Sequence, residues 1–272
     1  LVLPASRKGE GIGYFALSTN LAMVVGPLIG LVLIGNFGSI ALFAFLTALA
    51  ALTFLAANAR RLPDEVVRPA GRQKKGFHLS DFIERRSLAP ALLGGMVFFA
   101  YGGILTFIPL YAKSLGLQAE TSLFFVVFAF VIILTRPVIG RLFDEKGPDW
   151  TVYPGFACFA AGMLLFSQVG TTAGLLISAA VLGIGFGALS PAFQTLAVES
   201  APAARAGVAT ATYFWSLDIS VGLAAVLLSF VAAQFGYAFM YGICCTAIIF
   251  FNAVLYFIWR RTHRKKQSTT MT

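Results

Sequence analysis

The chain has 272 residues, of which 58% are hydrophobic and 11% charged, with a mean hydropathy of +0.85 and a net charge of +9. These values exclude an ordinary soluble domain, in which charged residues approach a quarter of the sequence. The basic excess requires no nucleic-acid partner, because the lysines and arginines cluster in segments that flank apolar runs. The composition therefore predicts an all-α membrane protein.

Eight segments are long and apolar enough to cross a bilayer, which takes about 20 residues as a helix. In chain order they cover about 13–35, 39–58, 88–111, 121–141, 151–169, 172–195, 207–234 and 237–259. A turn is expected at residues 36–38, between the first two. If alternate connections lie on one side, that side receives every lysine and arginine except Lys113 and Arg136. Positive loops stay in the cytoplasm, so we expect both ends of this chain to be cytoplasmic. The basic segments should also attract anionic lipid.

The first two apolar segments and the last two read as copies of one another. The short basic loop Pro4–Gly9 recurs as Pro202–Gly207. Without a gap, the alignment then pairs Ser18 with Ser216, Asn20 with Asp218, Phe37 with Phe235 and Gly38 with Gly236. Internal symmetry between apolar segments is typical of transporter folds built from repeated halves.

The connection 59–87 contains prolines and charges of both signs, which predicts a solvated linker with a short interfacial helix at 78–83. Two spans precede this linker and six follow it. The repeat therefore predicts four further spans upstream. The expected organisation is 1–58 as the last two spans of a first bundle, 59–87 as the linker, 88–260 as a six-span second bundle and 261–272 as a cytoplasmic tail.

Two motifs resemble those of a known family. Residues 140–147 (GRLFDEKG) match the G-x-x-x-D-x-x-G signature that the major facilitator superfamily repeats between its eighth and ninth spans. Residues 26–30 (GPLIG) resemble the antiporter motif of its fifth span, although Leu31 stands where a second glycine is usual. The chain resembles this superfamily throughout, from the fifth span to the end, and is most similar to its twelve-span drug:proton antiporters.

The resemblance implies further properties as expectations. The protein would be a monomer in the bacterial inner membrane, with small-molecule substrate and protons as partners and without a cofactor. It would work by alternating access, with two bundles rocking around a central cavity.

Asp218 is the sharpest single signal in the sequence. Of the eleven acids, it is the one that sits well inside an apolar run. A carboxylate there costs about 2.5–3.5 kcal/mol on insertion scales, so it should face an aqueous cavity or be protonated. Such a group can take up and release protons as its surroundings alternate. The alternative is a structural partner for a helix end or for a neighbouring polar residue.

Charged residues near the 140–147 motif have two interpretations each. Arg136 is either a buried counter-ion that faces the cavity or a side chain that reaches the inner surface. Arg141 and Asp144 form either a conformational latch or an ordinary charged turn. The predicted loop-motif set is Gly140, Arg141, Asp144, Gly147 and Arg136.

Small and aromatic residues supply weaker candidates. Gly26, Pro27 and Gly30 either permit close helix packing or allow a bend during gating. A cavity wall is predicted from Gln194, Tyr213, Phe98, Phe99 and Tyr101, although any single phenylalanine is more often structural. Gln194 and Tyr213 are favoured because their polar groups need a partner or water.

Several chemistries are not indicated. The sequence has no G-x-x-x-x-G-K-[ST] phosphate loop, so this chain is not expected to hydrolyse ATP. Both histidines lie in cytoplasmic segments, and the three cysteines, Cys158, Cys244 and Cys245, have no metal-ligand spacing. We expect no enzyme activity and no metal.

The sequence thus favours proton-coupled export of a small amphipathic molecule, with Asp218 exchanging the proton. One alternative is an importer or facilitator on the same fold. Another is a membrane scaffold or a remnant that does not transport.

Overall fold

A computed structural model of the chain describes residues 8–59 and 83–269. The chain divides into two compact units between Phe77 and His78, and each is considered by itself. The segment ahead of Lys8, most of the predicted linker with its interfacial helix, and the last three residues lie outside the described ranges.

The first unit contains one long helical element, α1 (Lys8–Ala59), with a break at Gly38. Gly38 has φ 78° and ψ 175°, a conformation that side chains with a Cβ rarely adopt. Ahead of the break, the Asn36 side-chain amide donates to the Val32 carbonyl at 2.9 Å. The predicted turn at residues 36–38 is confirmed as an interruption of the helix.

The second unit is a bundle of six further helices. Three short 3₁₀ turns (Arg85–Ser87, Gln118–Glu120 and Ala203–Arg205) and a π-helical segment (Met240–Cys245) accompany them in the described residues. The helices are α2 (Leu88–Ser114), α3 (Thr121–Lys146), α4 (Asp149–Ser167), α5 (Thr172–Glu199), α6 (Ala206–Phe239) and α7 (Thr246–Thr269). All regular elements in the described ranges are helical, as predicted.

The break in α1 recurs in α6. Gly236 has φ 80° and ψ 168°, nearly the same conformation as Gly38, its partner in the internal repeat. The sequence similarity is therefore matched by the same local backbone geometry at the same repeat position.

Six helical segments of the described residues are long and apolar enough to cross a membrane. They are Ile29–Ala56, Arg85–Ser114, Gln118–Lys146, Asp149–Ser167, Thr172–Glu199 and Ala206–Thr262. This differs from the eight separate spans expected from the sequence. The last two expected spans fall in one stretch of 57 residues, which is interrupted by the non-helical conformation of Gly236. One further segment, Ile29–Ala56, begins within the first expected span and includes the second.

Glycines bring the helices of the second unit into close contact. A Cβ on Gly185 of α5 would lie 2.5 Å from the Phe159 backbone nitrogen of α4. On α2, a Cβ at Gly102 would lie 3.1 Å from the Cα of Val221 in α6. Small residues allow helix backbones to approach this closely. In a membrane, such packing holds helices together because the hydrophobic effect does not drive them to associate.

The helix termini gather at two ends of this unit. At one, the Gly116 end, the Tyr111 hydroxyl of α2 donates to the carbonyl of Ser167, the last residue of α4, at 3.0 Å. At the other, the Gly147 end, the Ser87 hydroxyl donates to the Ala197 carbonyl in the last turn of α5 at 2.6 Å.

Candidate functional site

Asp218 lies on an exposed side of α6. Neighbouring residues on other sides of the helix are packed: Leu217 is buried, and the Ser216 hydroxyl donates to the Ala91 carbonyl of α2 at 2.8 Å. Trp215, one turn before Asp218, is 61% exposed. Among the described residues, no hydrogen bond or ion pair involves the Asp218 carboxylate. The carboxylate therefore faces away from the helices of its own bundle.

Small residues extend the Asp218 side of α6 along the helix. Gly207, Ala211 and Gly222 are exposed and lie at helical spacing from Asp218. A Cβ at Gly207 or Gly222 would meet no atom within 4 Å. This strip leaves room beside the carboxylate for a solvent molecule or a ligand. Asn20, the repeat partner of Asp218, lies in α1, but its side chain is outside the described set.

The loop motif marks the end of α3. Gly147 adopts φ 88° and its N–H donates to the Phe143 carbonyl at 2.9 Å, as in a glycine-terminated helix. Arg141 and Asp144 are both exposed, and no ion pair joins them in the described structure. Glu199, the last residue of α5, lies close enough to Asp144 to interact with it electrostatically. Arg260 of α7 also interacts electrostatically with Glu199.

A three-residue cluster at the Gly147 end holds α7 against α4. The Asp149 Oδ1 atom accepts a hydrogen bond from Arg260 Nε at 2.9 Å and another from the Tyr256 hydroxyl at 2.6 Å. Arg260 and Asp149 are about four-fifths buried. The sequence alone does not indicate this cluster, because Asp149 and Arg260 are 111 residues apart in the chain.

A second cluster anchors the start of the bundle to α6. The buried Glu84 carboxylate pairs with Arg205, while the Glu84 backbone N–H donates to the Thr212 hydroxyl at 2.9 Å. Arg205 also donates to the Ile83 carbonyl at 3.4 Å. The end of the linker region is thus attached to the helix that carries Asp218.

Removing the Asp149 side chain should destabilise the bundle. We expect Asp149→Ala to lower the free energy of unfolding by about 1–3 kcal/mol, because Arg260 and Tyr256 lose a largely buried acceptor. Thermal unfolding of the purified protein measures the effect. Glu145→Ala, at an exposed acid near the same end, is the control and should change the midpoint little. Equal midpoints for the two variants would contradict the stabilising role.

The five predicted cavity residues lie largely in the packed interior of the second unit. Phe98 and Tyr101 are buried in an aromatic cluster with Phe186. The Tyr213 hydroxyl donates to the Ser190 carbonyl at 2.7 Å, and Gln194 is also buried. Only Phe99 among the five is half-buried.

The remaining predicted residues are less closely packed. Arg136 is half-buried on α3, one turn before the half-buried Gly140. In the antiporter-like motif, Gly26 is exposed and Gly30 half-buried, and a Cβ at either would meet no atom within 4 Å. Pro27 belongs to α1, but its side chain lies outside the described set. Close packing among the described residues of the first unit therefore does not account for these two glycines.

Comparison with known proteins decides the family. The Major Facilitator Superfamily profile matches residues 1–225, which include both motifs and Asp218. The chain belongs to this superfamily. Its membership and the six apolar helices make it a multi-pass membrane protein of a transporter family, as the sequence predicted.

Individual relatives of the superfamily are similar along much of the chain. An uncharacterised MFS-type transporter of Methanocaldococcus jannaschii is 24% identical over 248 residues, which is 88% of this chain and 64% of the relative. An uncharacterised MFS-type transporter of Pseudomonas aeruginosa is 30% identical over 164 residues, 60% of this chain and 40% of the relative. The chain spans less than two thirds of the length of these relatives.

Proposed function

We propose that this superfamily member takes part in proton-coupled export of a small amphipathic molecule by alternating access. The observation that carries the proposal is the exposed Asp218 carboxylate on an apolar helix. A charge there is costly against lipid, so it should face water or be protonated. Alternation between a hydrated and a desolvated environment would load and release a proton at this carboxylate.

We propose that α1 and the α6–α7 region each cross the membrane twice, with the chain reversing near Gly38 and Gly236. Their matching dihedral angles support this, as does the length of the 57-residue stretch. Eight spans result. Residues 1–58 would be the last two spans of one bundle, 59–87 the linker, 88–260 the six spans of the other and 261–272 a cytoplasmic tail.

The Gly147 end would be the cytoplasmic gate. Glu199 lies close enough to Asp144 and to Arg260 there to interact electrostatically with both, and Arg141 is exposed on the last turns of α3. A rearrangement that changes which acid pairs with arginine would open or close this side. Gly26, Pro27 and Gly30 would allow the first span to bend, and Phe99 is the predicted cavity residue we favour for substrate contact.

The protein would be a monomer in the bacterial cytoplasmic membrane, with both ends of this chain inside. The distribution of lysine and arginine supports this orientation. An importer or facilitator on the same fold is the competing function. A scaffold without transport is the alternative from another class.

Proton movement separates these functions. Everted membrane vesicles carrying the full-length gene product would be given a pH gradient and then a panel of cationic, neutral and anionic amphipathic molecules. Export by antiport predicts that a substrate dissipates the gradient, and that vesicles without the protein show no such response. Substrate equilibration without proton movement would indicate a facilitator. If no compound produces either response, the result would count against transport.

A further inference from the structure

Helices α4 and α7 lie side by side and run in opposite directions. At the Gly147 end, the Asp149 carboxylate of α4 accepts from Arg260 of α7. One turn further along α4, the centre of the Tyr153 ring lies 5.4 Å from that of Tyr256, one turn earlier in α7. Because the contacts move forward along α4 as they move backward along α7, the two helices are antiparallel.

Helix geometry places the next residue of each helix on one common side of this pair. Each residue turns an α-helix by about 100°. One step beyond the facing residues Asp149 and Arg260 therefore turns Trp150 and Arg261 towards the same side, since the helices are antiparallel. Burial agrees with this, because Trp150 and Arg261 are both exposed. Val152, which turns to the other side of the pair, is buried.

Aromatic rings line both walls at the mouth of the groove between the helices. Tyr153 of α4 and Phe257 of α7 are exposed, one turn from Trp150 and Arg261 respectively. Lys146 Nζ, at the end of α3, is 5.2 Å from the centre of the Trp150 ring. Arg261 Cζ is 4.2 Å from the centre of the Phe257 ring. The mouth thus carries two cations, each held against a ring of the wall.

The same side of the pair is apolar further from the Gly147 end. There α4 presents the small exposed residues Ala157 and Ala161, while α7 presents the larger exposed Val254. They follow Trp150 and Arg261 at helical spacing, so they continue the same groove. Small side chains on one wall beside a large one on the other leave a depression that suits a hydrocarbon chain.

The charge at the mouth is available to a ligand. The acid between the helices, Asp149, is already paired with Arg260. Among the described residues, no ion pair uses Lys146 or Arg261. An anionic group beside an apolar chain is therefore the chemistry that complements this groove.

We propose that the α4–α7 groove is a binding site for an anionic glycerophospholipid. Its phosphate would lie beside Lys146 and Arg261, and one acyl chain would follow Ala157 and Ala161. Phosphate forms strong charge-assisted hydrogen bonds with both types of cation. Trp150 and Tyr153 suit the headgroup level of a bilayer, where such rings are enriched. A zwitterionic lipid would fit the apolar part, but its ammonium group would be repelled by the cations.

The site is independent of proton coupling at Asp218. It requires only that the chain crosses a membrane, as its family membership and apolar helices show. Its occupancy is read from lipid binding rather than from transport, so either proposal can fail while the other stands.

Quenching of Trp150 fluorescence by lipid tests the site. The purified full-length protein, with its other tryptophans replaced by phenylalanine, would be placed in vesicles with brominated phosphatidylglycerol or brominated phosphatidylcholine at equal mole fraction. Each basic residue near an anionic surface contributes a factor of about five in binding, so phosphatidylglycerol should be preferred at this groove by at least about tenfold. The double variant Lys146→Gln/Arg261→Gln should reduce the preference to near unity.

Arg85→Gln/Arg86→Gln is the matched control. It removes two exposed arginines in the turn ahead of α2, with the same change of net charge, and should keep the preference. Ala157→Phe should fill the apolar part of the groove and weaken quenching by phosphatidylglycerol although both cations remain.

Equal quenching by the two lipids in the protein with both cations would overturn the site. An equal loss of preference in the two double variants would also overturn it, because attraction would then follow net charge alone. If replacing the other tryptophans prevents folding, native mass spectrometry of phosphatidylglycerol bound to the protein with its natural tryptophans decides between the same variants.

Discussion

Replacing Asp218 with asparagine is expected to abolish substrate-driven proton movement while leaving the protein folded. The side chain lies on an exposed side of α6, and the two amino acids are nearly equal in size. The asparagine side chain cannot bind and release a proton in this pH range, so substrate should no longer dissipate a pH gradient in everted vesicles. The response should fall to that of vesicles without the protein.

Glu145→Gln provides the matched control, since it removes an exposed carboxylate without touching α6. It should keep the wild-type dissipation of the gradient. Facilitated exchange of substrate in Asp218→Asn should persist, because the binding surface is otherwise intact. Undiminished proton movement in Asp218→Asn would remove Asp218 from the coupling step.

Replacing Gly185 with alanine should produce the largest loss of stability among the helix-contact glycines. The new Cβ would lie 2.5 Å from the nitrogen and 2.7 Å from the Cα of Phe159, so α4 and α5 must separate. Overpacking of this kind costs typically about 1–3 kcal/mol, and more where backbone must move. We expect a clearly lower unfolding midpoint and a lower yield of folded protein in detergent.

Gly222→Ala is the control for this effect. A Cβ at Gly222 would meet no atom within 4 Å, and alanine is favoured over glycine within a helix by about 1 kcal/mol. Its unfolding midpoint should match or exceed that of the wild type. Equal unfolding midpoints for Gly185→Ala and Gly222→Ala would contradict a close backbone contact between α4 and α5 at Gly185.

The sequence predicted the helical fold, because runs of apolar residues leave few alternatives in a membrane. It also predicted the break at Gly38, where residues 36–38 carry turn signals and a repeat partner at Gly236. It did not predict the π-helical segment Met240–Cys245. No local signal distinguishes these six residues from ordinary helix, and the deviation depends on packing partners such as Gly103, whose carbonyl accepts from the Tyr241 hydroxyl at 3.0 Å.

The polar clusters were missed for a different reason. Arg260 and Asp149 are 111 residues apart in the chain, so only tertiary structure brings them together. The aromatic cavity candidates show the same limit. Phe98 and Tyr101 occupy a helix that is apolar around most of its circumference, and the sequence does not tell which side packs in the core.

The most direct measurement of the proposed function is proton release when substrate binds to the purified protein in weakly buffered solution. Antiport through Asp218 predicts release of up to about one proton per bound substrate, and none from Asp218→Asn. Equal release from both proteins, or binding to the wild type without release, would contradict proton exchange at Asp218.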